Sequence, residues 1–183
     1  MSGINLSRTG LVELIILLCG PVGAGKTSIA RRLAERLEDA MIIPSERFKG
    51  RVYERMFREA ERRLGRQEYL ILDATFYKEA YRRRMMELES KGEKVVTILL
   101  DCPLEICLKR NRERERPIPE RAVKIIWREF ERPETPDIYI DTGTSSVEEA
   151  VKTILCRLKT SDRLEVDSMK PEYGLTRQHP RAV

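Results

Sequence analysis

The segment from Gly20 to Thr27 has the sequence GPVGAGKT, which matches the phosphate-binding loop pattern GxxxxGK[ST]. Its glycines let backbone N–H groups turn inward around phosphate oxygens, and the helix that follows points its positive end at the same place. Lys26 would reach the β- and γ-phosphates of a nucleoside triphosphate, and the Thr27 hydroxyl would bind Mg²⁺. The predicted nucleotide-binding residues are Gly20, Pro21, Val22, Gly23, Ala24, Gly25, Lys26, Thr27 and Ser28.

Two aspartates end apolar runs that are predicted to be strands. Asp73 ends the run YLILD, and in folds with a phosphate-binding loop such an aspartate orients Mg²⁺. Thr27 and Asp73 are therefore the predicted metal ligands, although a strand-end aspartate that caps a turn has the same pattern. Asp101 also ends a run, but Pro103 begins a helix directly after it, which predicts a helix-start anion instead.

An arginine-rich segment over 109–119, KRNRERERPIP, lies between two predicted helices and ends in prolines. A phosphotransferase needs a mobile cover of this composition, which excludes water and neutralises the transferring phosphoryl group. We therefore predict a lid over about 110–119 and a kinase that uses ATP and Mg²⁺, since the chain lacks the NKxD segment of GTPases. Alternate positions on a helix do not share a face, so the four arginines cannot all point inward. Because Glu113 and Glu115 interleave with them, a solvated, internally paired charge run is the alternative.

Short apolar runs alternate with segments of helical periodicity along the chain. Strands are predicted at 11–19, 41–44, 69–73, 95–101 and 137–141. Helices are predicted from Lys26, over 47–66, 78–91 and 103–111, from Pro119, and from a capping box at Ser145 and Glu148 to Leu158. This order predicts an α/β P-loop NTPase fold, with three layers and a parallel sheet of about five strands. Ligands bind at the carboxyl ends of such strands, which here are followed by 20–27, 44–49, 73–82, 101–116 and 141–145.

The length of 183 residues suits one domain, which we place at 1–159, followed by a tail at 160–183. His179, the single histidine, lies in the tail and is not a candidate catalyst. The N-terminus lacks signal-peptide order and no apolar run has membrane-spanning length, which predicts a cytoplasmic protein without a membrane partner. Four cysteines form no CxxC pair, which excludes zinc-ribbon and thioredoxin-like sites.

Two further runs resemble the O-phosphoseryl-tRNA(Sec) kinase family. They are DATFYKEAYRRRM (73–85) and DCPLEICLKRNRERERPIPERAVKIIWREFERP (101–133). With the phosphate-binding loop, the resemblance covers about 12–158, and the LxxRN…IP…FExP spacing is its most specific part. It implies a P-loop kinase with an alcohol acceptor. The wider clan includes adenylylsulfate kinases and polynucleotide 5′-hydroxyl kinases.

The resemblance also implies roles for individual residues. Its catalytic set is Lys26, Glu46, Arg82, Arg110 and Arg114. Ser45-Glu46 stands where the family has Ser-Asp, and that Asp is taken to be the base or Mg²⁺ partner of the attacking hydroxyl. Ala74 replaces a second aspartate of the family motif, and Lys49 lies near a family arginine. The family carries a separate C-terminal RNA-binding domain, which we do not expect within 160–183.

The predicted helix over 47–66 is basic, with seven Arg and one Lys against three Glu. Its arginine stripe comprises Arg51, Arg55, Arg58 and Arg62, spaced three or four apart. The stripe could contact a tRNA, and a homodimer would present two such surfaces; a solvated helix face is the alternative. The sequence favours transfer of the γ-phosphoryl group to a seryl hydroxyl, on tRNA or free. A nucleotide, polynucleotide or adenylylsulfate kinase and an ATP-gated binding protein are the alternatives.

Overall fold

Five apolar runs form one parallel sheet in a computed structural model that describes residues 14–168, with side chains up to residue 159. The strands are β1 (Leu14–Cys19), β2 (Ala40–Pro44), β3 (Tyr69–Asp73), β4 (Lys94–Asp101) and β5 (Ile138–Asp141). They lie in the order β2-β3-β1-β4-β5, and every neighbouring pair is parallel. The predicted α/β fold is confirmed. Residues 1–10 of the predicted domain, residues 11–13 of the first predicted strand, His179 and the part of the tail beyond 168 lie outside the described residues.

Helices cover both faces of this sheet. They are α1 (Lys26–Ala34), α2 (Val52–Arg63), α3 (Glu79–Met86), α4 (Leu104–Arg112), α5 (Glu120–Glu129) and α6 (Val147–Ser168). Side chains of β1 alternate between the faces: Ile16 joins the core formed with α1 and α6, and Leu17 joins the core formed with α2 and α3. None of the described helices is long and apolar enough to cross a membrane.

Three helix boundaries differ from the prediction. The helix predicted from residue 47 begins at Val52, because Ser45–Arg47 forms a single 3-10 turn and the backbone at Arg51 has a φ of 44°. The helix predicted over 78–91 ends at Met86 and continues as a 3-10 turn to Lys91. The last helix runs to Ser168, past its predicted end at Leu158.

The cap of α6 lies one residue later than predicted. Ser146 N donates to Glu149 Oε2 at 2.8 Å, and Glu149 N donates back to Ser146 Oγ at 3.3 Å. The prediction of Ser145 with Glu148 was wrong, because two overlapping S-x-x-E patterns fit the same sequence. Glu148 instead pairs with Arg36, in the turn after α1, at 3.3 Å.

The strand order brings the chemically relevant loops together. β1 lies between β3 and β4, so the chain leaves β1 towards α1 at the point where the order of strands reverses. In open parallel sheets this switch point opens a crevice at the carboxyl ends of the strands. Leu18 of β1 is level with Asp73 of β3, which puts the phosphate-binding loop beside the predicted metal ligand.

Candidate active site

The phosphate-binding loop joins β1 to α1 and packs closely against α4. Gly23 has a φ of 88°, and a Cβ at this position would lie 2.5 Å from the carbonyl oxygen of Cys107. Only glycine fits both this backbone conformation and this contact. Gly25 precedes α1 with a φ of 83°, so the N-terminus of that helix opens at the loop and favours an anion there.

Lys26 is held at the mouth of this loop. Its Nζ donates to the carbonyl oxygens of Gly20 at 2.8 Å and Pro21 at 2.7 Å. Burial lowers the pKa of Lys26 to about 8, and the Asp73 carboxylate opposes that shift. Lys26 is half-buried and its ammonium group is already fixed between two carbonyl oxygens, so it is placed to interact with an incoming phosphate.

The lowered pKa of Lys26 predicts that nucleotide binding weakens as the pH rises through about 8. Phosphates favour the charged amine and raise its pKa, so binding above pH 8 takes up a proton, and the dissociation constant increases with pH. Calorimetric titration with ATP in two buffers of different ionisation enthalpy measures the uptake. Lys26→Met is the control that should abolish it, and wild-type binding without proton uptake at pH 8.5 would contradict the prediction.

The two predicted metal ligands lie in contact. Thr27 Oγ1 donates to Asp73 Oδ2 at 2.7 Å, and Asp73 is buried at the end of β3. A hydroxyl and a carboxylate are hard oxygen ligands of the kind that Mg²⁺ prefers. Among the side chains described, those of residues 14–159, no three acidic, histidine or cysteine side chains cluster as a metal site. The pair therefore fits Mg²⁺ that is also held by substrate phosphates, the usual arrangement for this ion.

A cavity of about 600 Å³ connects the loop to the neighbouring strand ends. It brings together predicted residues from four segments of the chain, namely the phosphate-binding loop from Val22 to Ser28, Glu46 after β2, Asp73 at the end of β3, and Arg110 and Arg114 of α4 and the loop after it. Its other lining residues are Ser45, Ala74, Thr75, Ile118, Ile126, Thr142, Ser145, Ser146 and Val147, along with Ile29. The loop after β5 was predicted only as a range, because its small polar residues carry no motif.

The lid arginines lie on two kinds of structure, because α4 ends at Arg112 and Arg114 lies in the loop beyond it. Arg110 lies on α4, and its Nη2 donates to the Thr142 carbonyl oxygen at 2.7 Å. Arg114 reaches across the cavity mouth, with Nη2 3.5 Å from Glu46 Oε1. Arg112 points away and pairs with Glu120 of α5 at 2.6 Å. The segment thus places two of its arginines at the cavity and one on the outer surface.

Arg82 does not line the cavity. It is 5% exposed, and its Nη1 donates to the Phe76 carbonyl oxygen at 2.7 Å. Phe76 has a φ of 45°, an uncommon conformation for a bulky residue, so Arg82 secures a strained loop directly after Asp73. Its contacts are those of a structural support for the cavity wall, whereas the resemblance implied a catalytic role.

Comparison with known proteins gives a consistent picture. A family model described as "AAA domain" matches residues 15–133. The L-seryl-tRNA(Sec) kinase of Methanococcus maripaludis is 28% identical over 151 residues, covering 70% of this chain and 59% of that protein. The protein of the same name from Mus musculus is 39% identical over 66 residues, covering 36% of this chain and 18% of its own length. The chain therefore spans less than two thirds of either relative.

A solved structure extends the similarity to the whole fold. The APS kinase of Mycobacterium tuberculosis in complex with AMPPNP and APS superposes with a TM-score of 0.64 and 19% identity. The match covers 80% of this chain and 98% of the other. At this identity the likeness shows the fold, and the seryl-tRNA(Sec) kinase relatives confirm the resemblance found in the sequence.

Proposed function

The chain belongs to the AAA domain family, and from this premise we propose that it is a kinase that moves the γ-phosphoryl group of ATP to an alcohol. The observation that carries the proposal is the cavity, in which Glu46 and Arg114 face the phosphate-binding loop. A nucleotide-binding protein without acceptor chemistry would need no carboxylate on the side opposite the phosphates. The relatives named as kinases support the same reaction.

Each of the residues at the cavity has a separate role in the proposed phosphoryl transfer. Lys26 and the N–H groups of the loop hold the β- and γ-phosphates. The acceptor oxygen attacks the γ-phosphorus, the bond from phosphorus to the bridging oxygen of ADP breaks, and the hydroxyl proton goes to the Glu46 carboxylate. Mg²⁺ held by Thr27 and Asp73 would neutralise phosphate charge. Arg114 leaves Glu46 for the transferring phosphoryl group, which frees the carboxylate to accept the proton.

The seryl hydroxyl of a charged tRNA is the acceptor that we propose. The names of the M. maripaludis and M. musculus relatives support it, as does the lid sequence that resembles their family. Adenylylsulfate is the second candidate, because the superposed APS kinase has the same fold. Incubation with γ-labelled ATP and seryl-tRNA, free serine, RNA 5′ ends or adenylylsulfate tests the proposal. If label is recovered on none of the four acceptors, the result would favour the alternative, an ATP-gated binding protein.

The lid arginines should differ in their effect on transfer. We expect Arg114→Ala to lower kcat on the order of 10²-fold with little change in ATP affinity, because its contact with the phosphoryl group forms only when the side chain leaves Glu46 during transfer. Arg110→Ala should slow transfer as well. Arg112→Ala should have little effect, because that side chain pairs with Glu120 outside the cavity. Steady-state kinetics and ATP titration separate the two parameters, and equal losses at all three positions would indicate a nonspecific charge cluster.

The arginine stripe is exposed along α2, next to the turn that carries Glu46. Glu54 and Glu59 offset part of its charge. If tRNA carries the acceptor, replacing all four arginines with Gln should raise the KM for seryl-tRNA and leave that for ATP nearly unchanged. The log–log dependence of tRNA binding on salt should lose roughly one unit of slope per phosphate contact removed.

The control for the stripe neutralises cations on the opposite layer. These are Arg31 of α1, Arg36 in the turn after it, and Lys152 and Lys159 of α6. Binding of tRNA measured by filter retention between 50 and 300 mM salt should change in the stripe variant only. Equal losses of tRNA binding in both variants would show that the stripe contributes only general positive charge. Absence of tRNA binding at low salt would favour a small-molecule acceptor.

A further inference from the structure

The buried side-chain amide of Asn111 connects the two ends of the lid segment through hydrogen bonds. Asn111 Nδ2 donates to the Ile118 carbonyl oxygen at 2.7 Å, and Ile118 N donates to Asn111 Oδ1 at 3.1 Å. Asn111 is 1% exposed on the inner face of α4. One side chain thus satisfies both backbone groups of a residue seven positions later. We call these two hydrogen bonds the Asn111 clasp, and residues 112–117 are the loop that it closes.

The clasp connects the loop to both the cavity and the core. Arg114 N donates to the Asn111 carbonyl oxygen at 3.3 Å, so the backbone of the lid arginine is attached to the same residue. The Ile118 side chain lines the cavity and packs on a cluster of Val22, Leu108 and Val123. Val22 belongs to the phosphate-binding loop. Both ends of the lid loop are therefore fixed relative to the place where phosphates would bind.

We propose that Asn111 is a positioning residue, which acts through Arg114 by holding the lid loop in a preformed shape above the phosphate-binding loop. Arg114 is 36% exposed and spans the cavity mouth to Glu46, a position that a free six-residue loop would seldom keep. Fixing the loop in advance means that its ordering entropy is not lost when the nucleotide binds. This inference rests on the proposed phosphoryl transfer, because only transfer requires Arg114 to be placed accurately.

The first experiment is a double-mutant cycle on transfer. Asn111→Ala should lower kcat about tenfold to a hundredfold, since a shift of about 1 Å in a charge-stabilising group costs that much. ATP affinity should stay within about threefold, because the main phosphate contacts lie in the other loop. Adding Asn111→Ala to Arg114→Ala should cause no further loss. Additive losses in the double variant would show that Asn111 does not act through Arg114.

A second variant separates positioning from a general loss of stability. Asn111→Asp keeps an acceptor for Ile118 N, but its carboxylate cannot donate to the Ile118 carbonyl oxygen. The protonated carboxyl group can. The ratio of variant to wild-type kcat should therefore rise as the pH falls through the pKa of the new carboxyl group. A pH-independent ratio would overturn the proposal, because it would mean that the donated bond does not affect transfer.

A third readout needs no activity. Trypsin cleaves after Arg112 and Arg114, and an unclasped loop should be cut several-fold faster in Asn111→Ala than in wild type or in the Lys152→Ala control. Unchanged cleavage would show that the clasp does not order the loop. Faster cleavage in a protein whose wild type transfers phosphate to no acceptor would instead overturn the proposed function, and with it the role of Arg114. Thermal denaturation of each variant verifies that it is folded.

Discussion

Lys26→Ala should reduce phosphoryl transfer at least on the order of 10²- to 10³-fold, the largest effect expected for any single side chain. One preorganised cationic donor at a developing charge contributes about 3 kcal/mol or more. Lys26 is half-buried and held by the carbonyl oxygens of Gly20 and Pro21, so its charge is in place before phosphates arrive. The measurement is the rate of transfer from γ-labelled ATP.

Two companion variants make the Lys26 result specific. Lys26→Met keeps most of the aliphatic stem and removes only the charge, so it should be as inactive as the alanine variant. Its melting temperature should be unchanged or raised, because the buried ammonium lowers stability through its desolvation. Lys152→Ala, on the exposed face of α6, should transfer normally. Undiminished turnover in Lys26→Met would remove the phosphate-binding loop from the mechanism.

Asp73→Asn should be the second most damaging single change when its effects on Mg²⁺ binding and on kcat are combined. It leaves the shape and the hydrogen bond to Thr27 but removes the negative charge, so we expect a 10- to 100-fold higher Mg²⁺ requirement and a comparable loss in kcat. It should also lower the pKa of Lys26 further below 8, because Asp73 is the charge that opposes the effect of burial. Activity measured against Mg²⁺ concentration and pH reports both effects.

Asp137→Asn is a matched control for the Asp73 variant. Asp137 accepts a hydrogen bond from Thr97 N at 2.7 Å, away from the cavity. The control should keep its Mg²⁺ requirement even where the loss of that hydrogen bond lowers its stability. If Asp73→Asn shows the wild-type response to Mg²⁺, the aspartate caps a turn and the predicted metal ligand is wrong.

The features that could be predicted correctly are those specified by residues that are close together in the sequence. The run YLILD is a strand with the predicted bounds because it is apolar, β-compatible and ended by an aspartate. The phosphate-binding loop needs fixed residue types at fixed positions within eight residues, so it can be recognised without any knowledge of the tertiary structure. The resemblance named Arg110 and Arg114 but not Arg112, and the first two line the cavity whereas Arg112 pairs with Glu120 outside it.

Features that depend on tertiary contacts could not be predicted in this way. Arg82 has the same charge as the lid arginines, and only the packing of α3 shows that it bonds to Phe76 inside the protein. The Asn111 clasp joins positions seven apart across a loop whose path the sequence does not specify. The residues of the loop after β5 reach the cavity because β5 pairs with β4, which is a property of the sheet order.

The central claim is that γ-phosphate moves to an acceptor hydroxyl rather than to water. A single-turnover reaction tests it, with the protein in excess over γ-labelled ATP and with seryl-tRNA present. The account predicts that label appears as O-phosphoserine after the ester to tRNA is hydrolysed, and that Lys26→Met abolishes the product. Release of all label as inorganic phosphate, at one rate with or without seryl-tRNA and the other three acceptors, would contradict it.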